Sequence, residues 1–299
     1  MDRPLVSVGV ATFNGARFIG QALESLSRQD YPNLEIVVSD NASTDATAEI
    51  VRAHAARDPR IRYSRNARNL GSIGNFDRAF ELARGEHFMW AGDHDLWEPD
   101  TVSALSAVLR GDPRCVLSYG RTQIIDGEGR PLFVTPERID TRGLSAARSY
   151  GRLVWKLGWC NMIYGMIRAS TLRTLLPFSR VWGPDNLLLA RLSLAGSIAQ
   201  VDRVLFYRRE TRAPETFEEF RLRALGAFDP ATASDRARMS HFQLLGESRD
   251  AHLEAVRAAG LAPAGRAVAL AATLGNFWLQ QAASLLRPWL RKLTAPRRP

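Results

Sequence analysis

The sequence predicts an α/β protein: a mixed, mainly parallel sheet flanked by helices, followed by a helical C-terminal extension. Three observations carry this expectation. Between Leu5 and Leu109, short apolar runs alternate with segments of helical period, the pattern of β-α-β units. Polar clusters directly follow several of those runs, where parallel sheets bind their ligands. Near the C-terminus, Ala267–Leu286 is a long stretch without a charge.

The elements follow in order. Leu5–Ala11 is a β-branched run fit for a buried parallel strand, and Thr12-Phe13-Asn14-Gly15 is a turn cluster. Ala16–Arg28 puts Phe18, Ile19, Ala22, Leu23 and Leu26 on one helical stripe. Leu34–Val38 is a second strand, running into Ser39-Asp40-Asn41, and Thr44-Asp45 caps a helix over Ala46–Ala56. Ile61–Ser64 is a shorter strand, Asn66–Gly74 a loop and Asn75–Ala83 a helix. His87–Ala91 is a strand that leads straight into Gly92-Asp93-His94-Asp95, and Pro99 suits the first turn of a helix over Asp100–Leu109.

Composition bounds the function. The 299 residues are 45% hydrophobic and 24% charged, enough apolar content for a sizeable core without disulfides. The net charge of +9 raises nucleic acid, membrane or an anionic substrate as partner. Only Lys156 and Lys292 are lysines among the 40 basic residues, however, so arginine bias accounts for much of the charge. Cys115 and Cys160 are far apart, lack metal-ligand spacing and read as buried free thiols of a reducing compartment. Residues 1–10 lack the n- and h-regions of a signal peptide.

No G-x-G-x-x-G follows the first strand and no G-x-x-x-x-G-K-[ST] occurs, which disfavours dinucleotide and P-loop chemistry. Asp93-His94-Asp95 carries more information. Two carboxylates at a strand end suit a hard divalent cation, which takes its remaining ligands from phosphates and water. A solvated turn is the other reading of the same tripeptide.

Four segments together resemble the family 2 glycosyltransferases. They are Pro4–Asn14, Ile36–Asp45, Arg68-Asn69-Leu70-Gly71 with Asn75, and Asp93-His94-Asp95-Leu96-Trp97-Glu98-Pro99-Asp100, in order and at family spacing over residues 4–109. The resemblance implies a GT-A (Rossmann-like) fold that binds a nucleotide-diphosphate sugar. It carries over Thr12 and Asp40 as contacts to the nucleoside and places Asp93 near the ribose and diphosphate. Asp95, with Asp93 beside it, becomes the ligand of Mg²⁺ or Mn²⁺. Asn14 and Arg68 are supports of the donor site, and His94 is positional rather than a ligand.

In the middle of the chain, Cys115–Tyr119, Gln123–Ile125, Ile163–Arg168, Ile198–Val201 and Val204–Tyr207 read as strands, and residues 130–149 as irregular. A short helix runs to Leu176, and Leu187–Ala195 is a helix ended by Gly196. Asp185 precedes that helix and is the candidate catalytic base, the carboxylate an inverting transfer needs to take the acceptor proton. A helix cap is its alternative role. The segment is similar to the family's base motif, with Leu188, Leu192 and Gly196 in place, although Pro184 stands where that motif often has Glu. Arg208, followed by Arg209, sits where related enzymes often contact phosphate; a solvated arginine pair is the other reading. The Gln-x-x-Arg-Trp signature of processive members is absent, which points to single additions.

The expected organisation is a GT-A domain over 1–210, with a nucleotide-sugar half (1–110) and an acceptor half (111–210), then a helical region over 211–299. In Ala267–Leu286, Thr273, Asn276, Gln280 and Ser284 share one helical face, and five cations without an acid follow at Arg287, Arg291, Lys292, Arg297 and Arg298. This tail suits an anionic membrane interface, or else packs on the catalytic domain or another subunit. The functional expectation is an inverting, metal-dependent glycosyltransferase moving sugar from a UDP-, dTDP- or GDP-sugar to a hydroxyl of a glycan, a lipid-linked glycan or another acceptor. It would act in cell-surface polysaccharide or glycoconjugate synthesis, in the cytoplasm or peripherally at the inner face of the plasma membrane. The alternative is a catalytically silent nucleotide-sugar-binding scaffold; a nucleic-acid binder has only charge behind it. Oligomeric state is not legible.

Overall fold

The computed structural model describes residues 3–211, 215–228 and 232–294, the side chains after Gln280 excepted. The five tail cations therefore lie outside the described side chains. The first half runs β1 (Val6–Thr12), α1 (Ile19–Ser27), β2 (Leu34–Asp40), α2 (Thr47–Ala55), β3 (Ile61–Arg65), α3 (Gly71–Glu81), β4 (His87–Gly92), β5 (Leu96–Trp97) and α4 (Thr101–Gly111). It continues with β6 (Cys115–Ile125), β7 (Pro131–Val134), α5 (Ala146–Lys156), a 3-10 turn (Asn161–Tyr164), β8 (Met166–Arg168), α6 (Ala169–Leu175), α7 (Pro184–Ala195) and β9 (Ser197–Arg209). The C-terminal helices are α8 (Phe217–Phe228), α9 (Ala233–Ala237), α10 (His241–Ala258) and α11 (Pro263–Thr294).

One nine-stranded sheet has the order β3-β2-β1-β4-β8-β6-β9-β5, with β7 paired to β6. β1, β2, β3 and β4 are mutually parallel, with Val6 opposite both Leu34 and His87. β8 enters antiparallel between β4 and β6, and β9 runs parallel to β6. β1 is buried on both faces, with Val6, Val8 and Val10 on one and Ser7 and Gly9 on the other, because helices cover both sides of the sheet. One core gathers Val8, Ile19, Leu23, Ile36 and Leu105. The other gathers Phe88, Trp90, Leu153, Leu189 and Ile198, and Val256 of α10 and Ala269 of α11 complete it. Trp90 anchors this second core, with Phe88 edge-on at 5.0 Å, Phe178 at 5.3 Å and Phe76 at 6.0 Å.

Several boundaries differ from the sequence reading for identifiable reasons. The loop expected to reach Gly74 ends earlier, because the Asn69 carboxamide accepts the Gly71 N–H at 2.8 Å and starts α3 there. The helix placed over Asp100–Leu109 begins one residue later, so Pro99 precedes it. Two expected strands fuse into β6, with register shifts at Gly120 and Arg121, and two others fuse into β9. The start of the strand expected at Ile163 is instead the 3-10 turn. The segment 130–149 is not irregular throughout: it contains β7 and the first turn of α5. In α5 only Ala147, Ser149, Tyr150 and Leu153 are buried, and its exposed arginines mask the apolar stripe.

The His87 imidazole is buried on β4, 3.3 Å from the Ser106 hydroxyl. Burial, then the nearby Arg168 and Arg110, pull its pKa from 6.5 down to about 4. The folded state therefore holds His87 neutral where the unfolded chain binds a proton. Stability is expected to fall as pH drops below 6.5 towards 4, and this one group costs roughly 2 kcal/mol by about pH 5. Urea midpoints across that range measure it, and His87→Asn should flatten the slope. An unchanged slope in the variant contradicts the assignment.

Candidate active site

The sheet ends where chemistry collects. A crevice of about 580 Å³ opens at the C-terminal ends of β1, β4 and β9, a volume suited to a small ligand. Its walls include Asn14, Arg17, Asp93, Asp95, Tyr164 and Arg208. β5 explains how β9 reaches this place. Leu96 and Trp97 pair with Tyr207 and Phe206, and the Trp97 and Phe206 rings stack at 5.6 Å. The acidic turn is thereby fastened to the end of β9.

The acids themselves are held from several sides. The Thr12 hydroxyl donates to Asp93 Oδ2 at 2.6 Å, and His94 Nδ1 lies 2.8 Å from Asp93 Oδ1. Asp95 is 1% exposed, and its Oδ1 accepts the Arg209 N–H at 2.8 Å. Burial pushes the Asp95 carboxyl up, opposed by His94, the Arg209 N–H and Arg208. The backbone comes close here. A Cβ at Gly15 would lie 2.5 Å from Asp93 Oδ2 and 2.6 Å from Thr12 Oγ1, and one at Gly92 would collide with Asp95 Oδ2. Gly15→Ala is therefore expected to displace Asp93 and weaken any ligand that touches it. Donor titration checks this, and unchanged affinity contradicts it.

Asn14 adopts φ 53, a left-handed conformation that Asn tolerates, and its carboxamide accepts the Thr44 N–H at 2.8 Å. It lines the crevice as a loop support. Asp40 and Arg68 are not brought into the wall. Asp40 is fully buried at the end of β2, and its carboxylate accepts from Tyr63 Oη at 2.6 Å, Ser43 N at 2.9 Å and Arg65 at 3.1 Å. Arg68 is exposed on the loop before α3. Asn69 and Asn75 serve the frame. Asn69 bonds Asn41, while Asn75 donates to the Thr12 and Ser39 carbonyls and accepts the Ser39 hydroxyl.

Arg208 and Arg209 are not a solvated pair. Both line the crevice, but their side chains make different contacts. Arg209 is 4% exposed and donates to the His94 and Gly127 carbonyls and to Gln21 Oε1, with its guanidinium 4.7 Å from the Phe18 ring centroid. Arg208 lines the crevice and donates to Asn161 Oδ1 at 2.9 Å. Arg17 is a further crevice cation that arginine bias hid in the sequence.

Asp185 lies in the first turn of α7, after Gly183 at φ 67, and its Oδ1 accepts the Asn186 N–H at 3.0 Å. Gly183, not Asp185, occupies the N-cap position. Asp185 does not line the crevice, yet its charge reaches Tyr164, which does. Burial, then the charge of Asp95, push the Tyr164 hydroxyl up, with Arg208 opposing and Asp185 adding to the rise, so the charges of all three groups reach this phenol. Cys160 packs against the second core and also meets a charge. Its thiol lies against Asp185, and burial and that charge raise it far above the usual range. Glu137, 8% exposed, holds this loop in place by accepting the Gly158 and Trp159 N–H groups at 3.1 and 3.3 Å. Glu137, Cys160 and Tyr164 carried no local sequence signal, because their roles come from contacts made across the fold.

Among the described residues, no group of three or more His, Cys, Asp or Glu side chains converges as a metal cage. The donor set fits a different arrangement. Two carboxylates lining an open crevice, with Asp95 the more deeply buried, suit Mg²⁺ or Mn²⁺ that completes its shell with phosphate and water oxygens.

The family model of glycosyl transferase family 2 matches residues 7–156. The chondroitin synthase of Escherichia coli is 33% identical over 127 residues, 42% of this chain and 18% of that protein. The chain spans about half the length, or less, of the curated relatives it matches. Among solved structures, TarS 1-349 of S. aureus, in complex with UDP-GlcNAc, aligns with a TM-score of 0.67 and 20% identity, covering 98% of this chain and 76% of that one. The mannosyltransferase PcManGT of Pyrobaculum calidifontis, in complex with GDP-Man and Mn²⁺, aligns with a TM-score of 0.55 and 22% identity, covering 98% and 88%. The mixed sheet with flanking helices and C-terminal helices is that of the GT-A glycosyltransferases.

Proposed function

Because the chain belongs to glycosyl transferase family 2, we propose that its crevice binds a nucleotide-diphosphate sugar and that Asp185 drives inverting transfer of the sugar to an acceptor hydroxyl. The observation that carries this reading is the meeting of Asp93, Asp95, Arg17 and Arg208 in one crevice, with the charge of Asp185 reaching the crevice residue Tyr164. Arg17 and Arg208 supply cationic donors to the diphosphate. Thr12 fixes the rotamer of Asp93. Asp95 and Asp93 would hold Mg²⁺ or Mn²⁺, which supplies positive charge for the departing diphosphate. Asp185 takes the proton of the acceptor hydroxyl as its oxygen forms the new bond to the anomeric carbon. The bond from that carbon to the phosphate oxygen breaks on the opposite side, and the nucleoside diphosphate leaves with the electron pair.

The UDP-GlcNAc of the TarS complex and the GDP-Man of the PcManGT complex support a UDP- or GDP-linked donor; a dTDP-sugar is the third candidate. The name of the chondroitin synthase supports a role in polysaccharide or glycoconjugate synthesis. In this reading residues 1–110 form the donor half, 111–210 the acceptor half and 211–299 a helical extension to the GT-A domain. Two free cysteines suit a cytoplasmic location. Incubation with radiolabelled UDP-, dTDP- and GDP-sugars and Mn²⁺ tests the activity. Release of nucleoside diphosphate is the expected result. Tight binding without turnover would instead identify a silent scaffold.

A further inference from the structure

On the polar face of the C-terminal helix Thr273 and Asn276 turn inward, while Gln280 is exposed. Thr273 is 4% exposed and shares a 2.7 Å hydrogen bond with the Tyr150 hydroxyl of α5, and Asn276 donates to the Val154 carbonyl at 3.0 Å. What faces solvent is apolar. Every exposed residue of α11 from Ala267 to Leu279 is Ala, Val, Leu or Trp. Leu274 is 42% exposed, Leu279 55% and Trp278 63%. Trp155 of α5, 49% exposed, extends this surface. It lies against Gly275, where a Cβ would come within 2.9 Å of its ring, so the glycine lets the two helices present one continuous face. A contiguous apolar surface of this kind marks an interaction site.

Its border is cationic. Arg148, Arg152 and Lys156 form an exposed i, i+4, i+8 row on α5, and Arg266 is exposed beside the stripe on α11. None of the four has an ion-pair partner among the described residues. The sequence after Gln280 adds five cations and no acid. No helix among the described residues is long and apolar enough to cross a membrane. We propose that the α5–α11 face docks on the surface of a lipid bilayer bearing anionic headgroups, with α11 lying in the interface plane. Apolar side chains and tryptophans enter the headgroup boundary while the bordering cations meet phosphates. Charge argues against a second copy of this chain as the occupant. A two-fold contact would set the same cations against themselves, with no acid to answer them.

The test is co-sedimentation of the full chain with vesicles of phosphatidylcholine alone, and with vesicles in which about a third of the lipid is phosphatidylglycerol. Binding to the anionic vesicles, and little to the neutral ones, is expected. The double substitution L274E/W278E should weaken that binding by at least about tenfold. R148Q/R152Q/K156Q leaves the apolar stripe intact and should weaken it by about fivefold per charge removed. All these side chains are exposed, and of the charged ones only Arg152 makes a hydrogen bond among the described residues, to the Asp140 carbonyl at 2.7 Å, so melting temperatures close to the parent's are expected and check the fold. Failure of the parent chain to bind anionic vesicles overturns the proposal. Full binding by both variants does too, because the tail cations alone would then be sufficient. So does a dimer of the parent chain that L274E/W278E converts to monomer.

Discussion

Replacing Asp185 with asparagine is expected to slow sugar transfer by about a hundredfold to ten-thousandfold, the range a positioned general base contributes, while donor affinity stays unchanged. The substitution removes the charge and basicity of the carboxylate but keeps an oxygen for the Asn186 N–H, which Asp185 Oδ1 accepts at 3.0 Å. Loss of a negative charge from the first turn of α7 costs about 0.3–1 kcal/mol of helix-dipole stabilisation. That is small enough for the fold to persist, and a melting curve verifies it. Initial rates at saturating donor, alongside a donor titration, separate the two effects. Parent-like turnover in the variant would remove Asp185 as the base. A joint loss of binding and turnover would mean that it supports the site instead.

The second large effect is at Asp95. Asp95→Ala is expected to abolish the Mn²⁺-dependent part of donor binding, a loss beyond the roughly tenfold to hundredfold typical of disturbing a metal's outer shell. The alanine also deprives the Arg209 N–H of its 2.8 Å acceptor, so the position of β9 would be disturbed at the same time. Asp95→Asn keeps an oxygen for that N–H and removes only the charge. Both variants should therefore lose the response to Mn²⁺, whereas only the alanine should lose stability. Calorimetric titration of donor with and without Mn²⁺ reads the first effect, and thermal melts read the second. A Mn²⁺ response that survives in both variants would remove Asp95 as a ligand.

Much of this site was legible in the sequence because its first half is built locally. A buried strand followed at once by a polar turn is a short-range pattern. Thr12, Asn14, Asp93 and Asp95 all lie at such strand ends, and the fold brings the last three to one crevice with Thr12 bonded to Asp93 behind them. What the sequence hid was produced at long range. β5 has only two residues, too few for any periodicity, yet it fastens the acidic turn to β9. Arg208 and Arg209 look alike on paper. Both line the crevice, but Arg209 is buried and spends its guanidinium as a clamp on the His94 and Gly127 carbonyls, whereas Arg208 donates to Asn161. With arginine so abundant, Arg17 had no more signal than Arg68, although the fold places the first in the crevice wall and leaves the second exposed on its loop. Asp40 ends a strand as Thr12 does, but Tyr63 and Arg65 of the neighbouring β3 occupy its carboxylate. The polar face of α11 could be read from spacing. That it faces Tyr150 and Val154 could not, because α5 itself was hidden by its exposed arginines.

The central claim is that the crevice between Asn14, Asp95 and Arg208 is a nucleotide-sugar site. Thermal melting against a panel of UDP-, dTDP- and GDP-sugars, with and without Mn²⁺, tests it most directly. Ligand at about a hundred times its dissociation constant adds roughly 2.7 kcal/mol to the folded state. At least one nucleotide sugar should therefore raise the melting temperature in a Mn²⁺-dependent manner, and the rise should vanish in Asp95→Asn. A panel in which no nucleotide sugar moves the melting temperature, or in which Asp95→Asn shifts as the parent does, would contradict the account.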